Sequence, residues 1–161
     1  MGYLELGGSG RSYWPDLSKS EPKFDNPLDL ISLGKAFERL FQLDEAAQCF
    51  REALNYQMEP GDREETLTRL GYSLKRLGRW ELAVKVWKYM IESTPHLLTP
   101  YEELAKYYEH RVRDFEQAVT IVNRALDRIR IFEELYPGSS FYDKKSFKYR
   151  LDRLKWKLAK Q

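Results

Sequence analysis

The sequence predicts an all-α protein built as a short solenoid of helical hairpins. Three observations predict this fold: apolar residues at helical spacing, small residues where two helices would cross, and turn signals between the helices. The clearest unit spans residues 67–95, where Gly71 and Ala83 leave room for close helix contact. Because similar units precede and follow it, we predict a short right-handed solenoid of about three hairpins with a C-terminal capping helix.

Length and composition set the outer limits of the fold. A chain of 161 residues with 42% hydrophobic residues is long enough for one domain with a buried core. The single Cys49 excludes an internal disulfide, and its place on an apolar helix face predicts a buried thiol. No apolar stretch reaches the roughly 18 residues of a membrane-spanning helix, and the first ten residues do not resemble a secretion signal. We therefore expect a cytoplasmic protein with no membrane partner.

Residues 1–26 differ in composition from the rest of the chain. Glycine, proline and serine recur there without a sustained period, which predicts an extended or disordered leader. A fully solvated segment seldom carries many aromatic residues, so parts of this leader are candidates for packing on the helical body. The aromatic residues in question are Tyr3, Tyr13, Trp14 and Phe24.

Residues 27–136 are predicted to form the three hairpins. A first helix is predicted to begin at Pro27, because proline suits the first helical turn. A second is predicted from about Asp44, and apolar residues recur at helical spacing in both. Residues 60–62 read as a chain break with a cap. In the second hairpin Gly78 ends the first helix and Pro95 follows the second.

The third hairpin and the capping helix follow the same signals. Thr99 and Asp114 are predicted caps, and the helix that Asp114 starts continues to about Tyr136. Residues 137–161 are predicted to stop this helix and to form a basic amphipathic capping helix, with Ser140 as its cap. Its apolar face consists of Phe147, Leu151, Leu154 and Leu158.

Residues of matching size recur at a nearly constant interval. The small residue of the first helix is Gly34, Gly71 and then Ala105, spaced 37 and 34 residues apart. The small residue of the second helix recurs at spacings of 37 and 35, and bulky partners follow it; the third hairpin has one extra residue in its internal turn. Over residues 27–130 the pattern resembles tetratricopeptide repeats, helix-turn-helix units of about 34 residues. A plain helical bundle with accidental spacing is the alternative.

This resemblance implies a concave groove lined by the first helices of the hairpins. The groove accepts an extended or helical peptide in such repeats. Its positions here are mainly basic, which favours an acidic protein or peptide, or phosphate groups, as the partner. Solvated surface charges are the alternative explanation. The asparagine and lysine that clamp a chaperone's C-terminal carboxylate are not matched, because Ile31 and Lys35 stand at those positions. The predicted partner-binding residues are Lys35, Arg39, Tyr72, Arg76, Lys106 and His110.

The charge of the chain is unevenly distributed. Residues 143–161 carry eight lysines and arginines against two aspartates, so this tail is +6 and the remainder −4 for a total of +2. A solvated helix face is the simpler explanation of these charges, and a nucleic-acid surface is the alternative. The residues of that alternative surface are Arg150, Arg153, Lys157 and Lys160, with Trp156 and Tyr149 able to stack on bases.

A second resemblance concerns residues 103–111 and 113–118. They are similar to the repeat that follows the nuclease domain in RNase H-like exonucleases of the YprB type, and residues 26–33 are similar to the closing motif of that nuclease. The resemblance implies a metal-binding aspartate at Asp29 preceded by histidine, but Asp25 stands where the histidine is expected. One carboxylate cannot support two-metal cleavage, so the resemblance implies the repeat-bearing part of such a protein.

The remaining motifs argue against an enzyme. The glycines near the start lack the lysine and helix of a phosphate-binding loop, and His96, His110 and Cys49 do not have metal-ligand spacing. We expect no catalytic residues, no metal and no cofactor. The first function class is therefore a protein-binding scaffold, the second a nucleic-acid accessory module, and the third self-association through the terminal helix or the leader.

Overall fold

The computed structural model describes residues 26–137 and 144–160. All of the predicted leader of residues 1–26 except Asn26 therefore lies outside the described residues, as does the predicted cap Ser140. The described residues are helical and contain no strand, which confirms the all-α prediction. In chain order the elements are α1 (Pro27–Arg39), α2 (Leu43–Ala53), α3 (Pro60–Arg76), α4 (Trp80–Ser93), α5 (Thr99–Tyr107), a π-turn (Tyr108–Val112), α6 (Phe115–Leu135) and α7 (Lys144–Leu158).

The helices form two layers. Each helix packs against the next one in the chain, and ion pairs connect alternate helices. Arg69 on α3 binds Glu38 on α1 at 2.6 Å, and Arg124 on α6 binds Glu92 on α4 at 2.8 Å. The partners in these pairs are 31 and 32 residues apart in the chain. One layer therefore contains α1, α3 and α5, which we call the inner layer, and the other contains α2, α4 and α6.

The helices of the first two hairpins touch at their glycines. A Cβ atom on Gly34 would lie 2.6 Å from the Phe50 ring, and one on Gly71 would lie 2.5 Å from the indole nitrogen of Trp87. Both aromatic rings are fully buried, so they have little freedom to move aside. The predicted close contact of the two helices is therefore confirmed at these two positions.

The three internal turns share one backbone conformation. Phe41, Gly78 and Arg113 have φ angles of 60°, 73° and 60°, and no other described residue has a positive φ. Their spacing of 37 and 35 residues equals the spacing predicted for the small residues of the second helices. Glycine adopts this left-handed conformation without a steric cost, whereas a residue with a side chain does not. Gly78 therefore fits its turn better than Phe41 and Arg113 fit theirs.

The extra residue of the third turn lies in the π-turn. The amide after the left-handed residue binds a carbonyl five residues back in the first two turns. In the third turn the Asp114 amide binds the Tyr108 carbonyl, six residues back, at 2.9 Å. A single inserted residue is commonly accommodated as a π-helical turn.

Helix boundaries differ from the sequence-based expectations at two starts. Residues 60–62 are predicted to break the chain, but α3 begins at Pro60. Proline fits there because the amide hydrogen that it lacks would have no helical acceptor in the first turn. Thr99 lies inside α5, one residue after its N-cap Leu98. The Asp114 prediction is confirmed, since its side chain accepts a hydrogen bond from the Gln117 amide at 2.9 Å.

The core runs along the seam between the two layers. The prediction for Cys49 is confirmed, because its side chain is buried on α2. Burial, together with the nearby Glu52 carboxylate, raises the pKa of the Cys49 thiol.

None of the helices in the described residues is long and apolar enough to cross a membrane.

Candidate functional site

Two of the predicted groove cations are bound by carboxylates. Lys35 Nζ lies 2.9 Å from Glu65 Oε1, across the contact between α1 and α3. Lys106 Nζ lies 2.7 Å from Glu102 Oε1 and 3.1 Å from Glu103 Oε1 on its own helix. These two lysines are therefore partly neutralised, and the inner layer is less basic than the count of its cations indicates.

The pKa directions agree with these contacts. Hydrogen bonds from Lys35 and Arg69 lower the pKa of Glu65 despite its partial burial. Burial by itself lowers the pKa of Lys106, but hydrogen bonds to Glu102 and Glu103 outweigh it and raise the pKa overall. Both groups stay ionised and paired near neutral pH.

The other inner-layer cations are exposed and less engaged. Arg39 and Arg76 have no carboxylate partner within residues 26–137 and 144–160. The Arg76 guanidinium carbon lies 5.6 Å from the centroid of the Phe41 ring, and 77% of Phe41 is exposed. Tyr72 lies one helical turn before Arg76 and is also exposed. We call Arg39, Phe41, Tyr72 and Arg76 the inner-face patch.

His110 is the remaining predicted groove residue. It lies in the π-turn, its side chain is exposed, and its Nε2 atom is 3.6 Å from Glu109 Oε2. This distance is too long for a strong hydrogen bond. His110 is therefore near a charged cluster rather than part of the inner-face patch.

Glu109 is a buried carboxylate that the sequence-based reasoning missed as a site. Its side chain is fully buried, and its two oxygens accept hydrogen bonds from three cations of α7. Arg150 Nη1 and Arg153 Nη2 both lie 2.7 Å from Oε2, and Lys157 Nζ lies 2.8 Å from Oε1. We call these four residues the Glu109 cluster.

The pKa of Glu109 reflects this environment. Burial alone raises the pKa of a carboxyl group, but the hydrogen bonds and positive charges of Lys157 and Arg153 outweigh burial and lower the pKa of Glu109 from 4.5 to about 2. The carboxylate is therefore ionised at every physiological pH. It anchors α7 to the end of the inner layer.

Three of the residues predicted for nucleic-acid binding belong to this cluster. Arg150, Arg153 and Lys157 point toward Glu109 and not toward solvent alone. The sequence holds one indication of this role. These cations border the apolar stripe of α7, which must pack against the rest of the protein, so they lie beside that contact. Two of the other three predicted residues are in contact with each other, because Lys160 Nζ lies 3.9 Å from the centroid of the exposed Trp156 ring. The third, Tyr149, is exposed.

A cleft of about 600 Å³ opens beside Trp80 at the start of α4. The Trp80 ring stacks on Tyr107 with ring centroids 6.1 Å apart, and the guanidinium carbon of Arg111 lies 4.8 Å from its centroid. These two contacts of the Trp80 ring connect the start of α4 to the end of α5 and to the π-turn. We assign no ligand to it.

The residues considered for metal chemistry lie apart. Asp29 is exposed in the first turn of α1, where Asn26 caps the helix by accepting a hydrogen bond from the Leu28 amide at 3.0 Å. Within the described parts of the chain, no group of three His, Cys, Asp or Glu residues is placed to hold a metal ion. Comparison with known proteins found no matching family model and no significantly similar curated protein.

Proposed function

We propose that this chain is a tetratricopeptide-like protein-binding module, a non-catalytic cytoplasmic scaffold, whose inner-face patch receives a peptide or a partner helix. The observation that carries the proposal is the inner-face patch itself. It combines two arginines that have no carboxylate partner among the described residues with the exposed rings of Phe41 and Tyr72. The recurring turns and glycine contacts of the hairpins support the repeat assignment.

The chemistry of the patch favours an acidic partner. An arginine guanidinium can bind a carboxylate through two parallel hydrogen bonds, and aromatic rings add apolar contact area at a small entropic cost. The neighbouring Lys35–Glu65 and Lys106–Glu102 pairs present both signs of charge. We expect the ligand to place acidic side chains over Arg39 and Arg76 and to have a mixed or neutral sequence elsewhere.

The proposal leaves out Arg150, Arg153 and Lys157, because Glu109 already accepts hydrogen bonds from all three. Kinship with the YprB-type exonucleases and self-association stay predictions. Neither is needed for the inner-face patch to bind a peptide.

Selection from a peptide-display library would test the proposal. The wild-type chain is immobilised, and enriched peptides are measured against the triple variant Arg39→Ala, Tyr72→Ala, Arg76→Ala. A matched control carries Arg128→Ala, Arg130→Ala and Tyr136→Ala, which remove the same residue types from α6 and its C-cap. We expect peptides rich in Asp and Glu that lose at least about tenfold in affinity with the first variant only, which corresponds to about 1.4 kcal/mol.

Two outcomes would contradict the proposal. One is a set of peptides that binds both triple variants as tightly as the wild type. The other is a selection that yields no sequence preference at all. Thermal unfolding of both variants shows whether any loss of binding reflects loss of fold.

A further inference from the structure

The solvent-exposed side of α7 carries two aromatic rings. Tyr149 is 69% exposed and Trp156 is 58% exposed, although large aromatic residues are usually covered. They are seven residues apart, so they lie on one face, separated by about 10 Å along the helix axis. Both rings are therefore largely open to solvent.

Four lysines surround these rings. They are Lys145, Lys148, Lys155 and Lys160, all exposed. Lys145, Lys148, Lys155 and Lys160 have no carboxylate partner within the described residues, and Lys160 lies over the Trp156 ring. Asp152 is the single acidic residue on this side of α7. The outer face of α7, defined by the two rings and four lysines, is therefore strongly positive.

The lysines of this face differ from the inward cations in their partners. Arg150, Arg153 and Lys157 donate to Glu109, whereas Lys145, Lys148, Lys155 and Lys160 have no carboxylate partner among the described residues. Of the four cations predicted for nucleic-acid binding, Lys160 therefore stays available to a polyanion, and Lys145, Lys148 and Lys155 join it.

The pattern of the outer face fits a single-stranded polyanion better than a protein helix. A partner helix needs a continuous apolar stripe, but Asp152 lies between the two rings on this face. Separate rings flanked by cations match separate bases joined by phosphates, since each base offers a flat face to stack on. Lysine ammonium groups contact phosphates as point charges and impose no base sequence.

We propose that the outer face of α7 binds single-stranded nucleic acid without sequence preference, with Tyr149 and Trp156 stacking on bases and the four lysines contacting phosphates. This site is independent of the inner-face patch. It gives the chain a second class of partner beyond the peptide ligand.

Fluorescence anisotropy with a fluorescein-labelled oligothymidylate would test this site. The full chain is titrated at about 50 and about 200 mM salt, because phosphate contacts release counterions and weaken as salt rises. We expect Trp156→Ala to weaken binding by roughly tenfold or more, and Trp156→Phe to retain most of the affinity, because a ring can still stack. Tyr149→Ala is the second variant, and thermal unfolding confirms that each variant is folded.

A charge-matched pair of variants locates the phosphate contacts. Lys148→Gln with Lys155→Gln is expected to reduce the slope of log affinity against log salt by about 1.4, because each lost contact with a single strand contributes about 0.7. Arg39→Gln with Arg76→Gln removes the same charge from the inner-face patch and is expected to leave the slope unchanged.

Three results would overturn the proposal. The first is no binding at the lower salt concentration. The second is that Trp156→Ala and Trp156→Phe bind the oligothymidylate equally well, while the wild type binds poly-glutamate as tightly as it binds the oligothymidylate. That result would identify a surface for acidic proteins. The third is a loss with the inner-face control as large as the loss with the α7 variant.

Discussion

The inward cations of α7 and the cations of the inner-face patch have the same chemistry but different surroundings. Arg150 and Arg153 donate to a carboxylate that is fully buried, and they become part of the packing between α7 and the π-turn. Arg39 and Arg76 lie on exposed helix surface with no carboxylate partner among the described residues. The first pair stabilises the fold, and the second pair is free to bind.

The comparison shows that basic residues beside a buried carboxylate take a structural role, whereas basic residues without such a partner stay available for binding. Exposed ion pairs contribute little to stability, since solvent screens them and ordering their side chains costs entropy. A buried carboxylate with three donors is different, because removing one partner leaves buried charge without compensation. At the end of the inner layer that contains Glu109, the charged side chains therefore stabilise the fold.

Glu109→Ala is expected to have the largest effect. It leaves three cations without their shared acceptor beside a buried space, so we expect the free energy of unfolding to fall by about 3–5 kcal/mol. Urea unfolding measures this loss, and Glu109→Gln, which keeps one acceptor oxygen, is expected to lose less. A change below about 1 kcal/mol for the alanine variant would mean that α7 is held by its apolar face alone.

Acid is expected to weaken the same cluster over a defined range. The folded-state pKa of Glu109 is about 2 and its ordinary value is 4.5, so the unfolded chain binds more protons between these values. The contribution of the Glu109 carboxylate to the free energy of unfolding is about 3 kcal/mol. It is fully present above about pH 4.5 and is lost as the pH falls toward about 2.

The matched measurement is unfolding free energy against pH for the wild type and for Glu109→Gln. We expect the variant to be less stable at neutral pH and to show a flatter profile in the acid range. Parallel profiles would contradict the assigned role of Glu109, because they would mean that other carboxyl groups cause the acid sensitivity.

Phe41→Gly is expected to have a small effect of opposite sign. Phe41 holds a left-handed φ of 60° that glycine adopts freely, and its ring is largely exposed, so little packing is lost. We expect a gain in unfolding free energy of about 0.5–1 kcal/mol together with weaker peptide binding. Arg113→Gly is the matched control, since it relieves the same φ in the third turn, outside the inner-face patch. A loss of stability in both variants would contradict this prediction.

Features that depend on local spacing could be predicted from the sequence. The contact of Gly71 with its partner helix, the left-handed turn at Gly78 and the cap at Asp114 each need only residues close in the chain or at one repeat interval. The pairing of Lys106 with Glu102 also follows from their four-residue spacing on one helix.

Features that depend on how distant helices meet could not be predicted. Lys35 and Glu65 are 30 residues apart, and Glu109 is 41 to 48 residues from its three donors. Their pairing requires the relative rotation of the helices, which no local pattern contains. For the same reason the face of α7 that is turned toward solvent became clear only from the structure.

Urea unfolding of two matched double variants tests the division between structural and free cations most directly. Arg150→Ala with Arg153→Ala removes two donors of Glu109, and Arg39→Ala with Arg76→Ala removes two exposed cations; the change in formal charge is identical. We predict a loss of at least about 2 kcal/mol for the first variant and a change within about 0.5 kcal/mol for the second. Equal losses in the two variants would contradict the account.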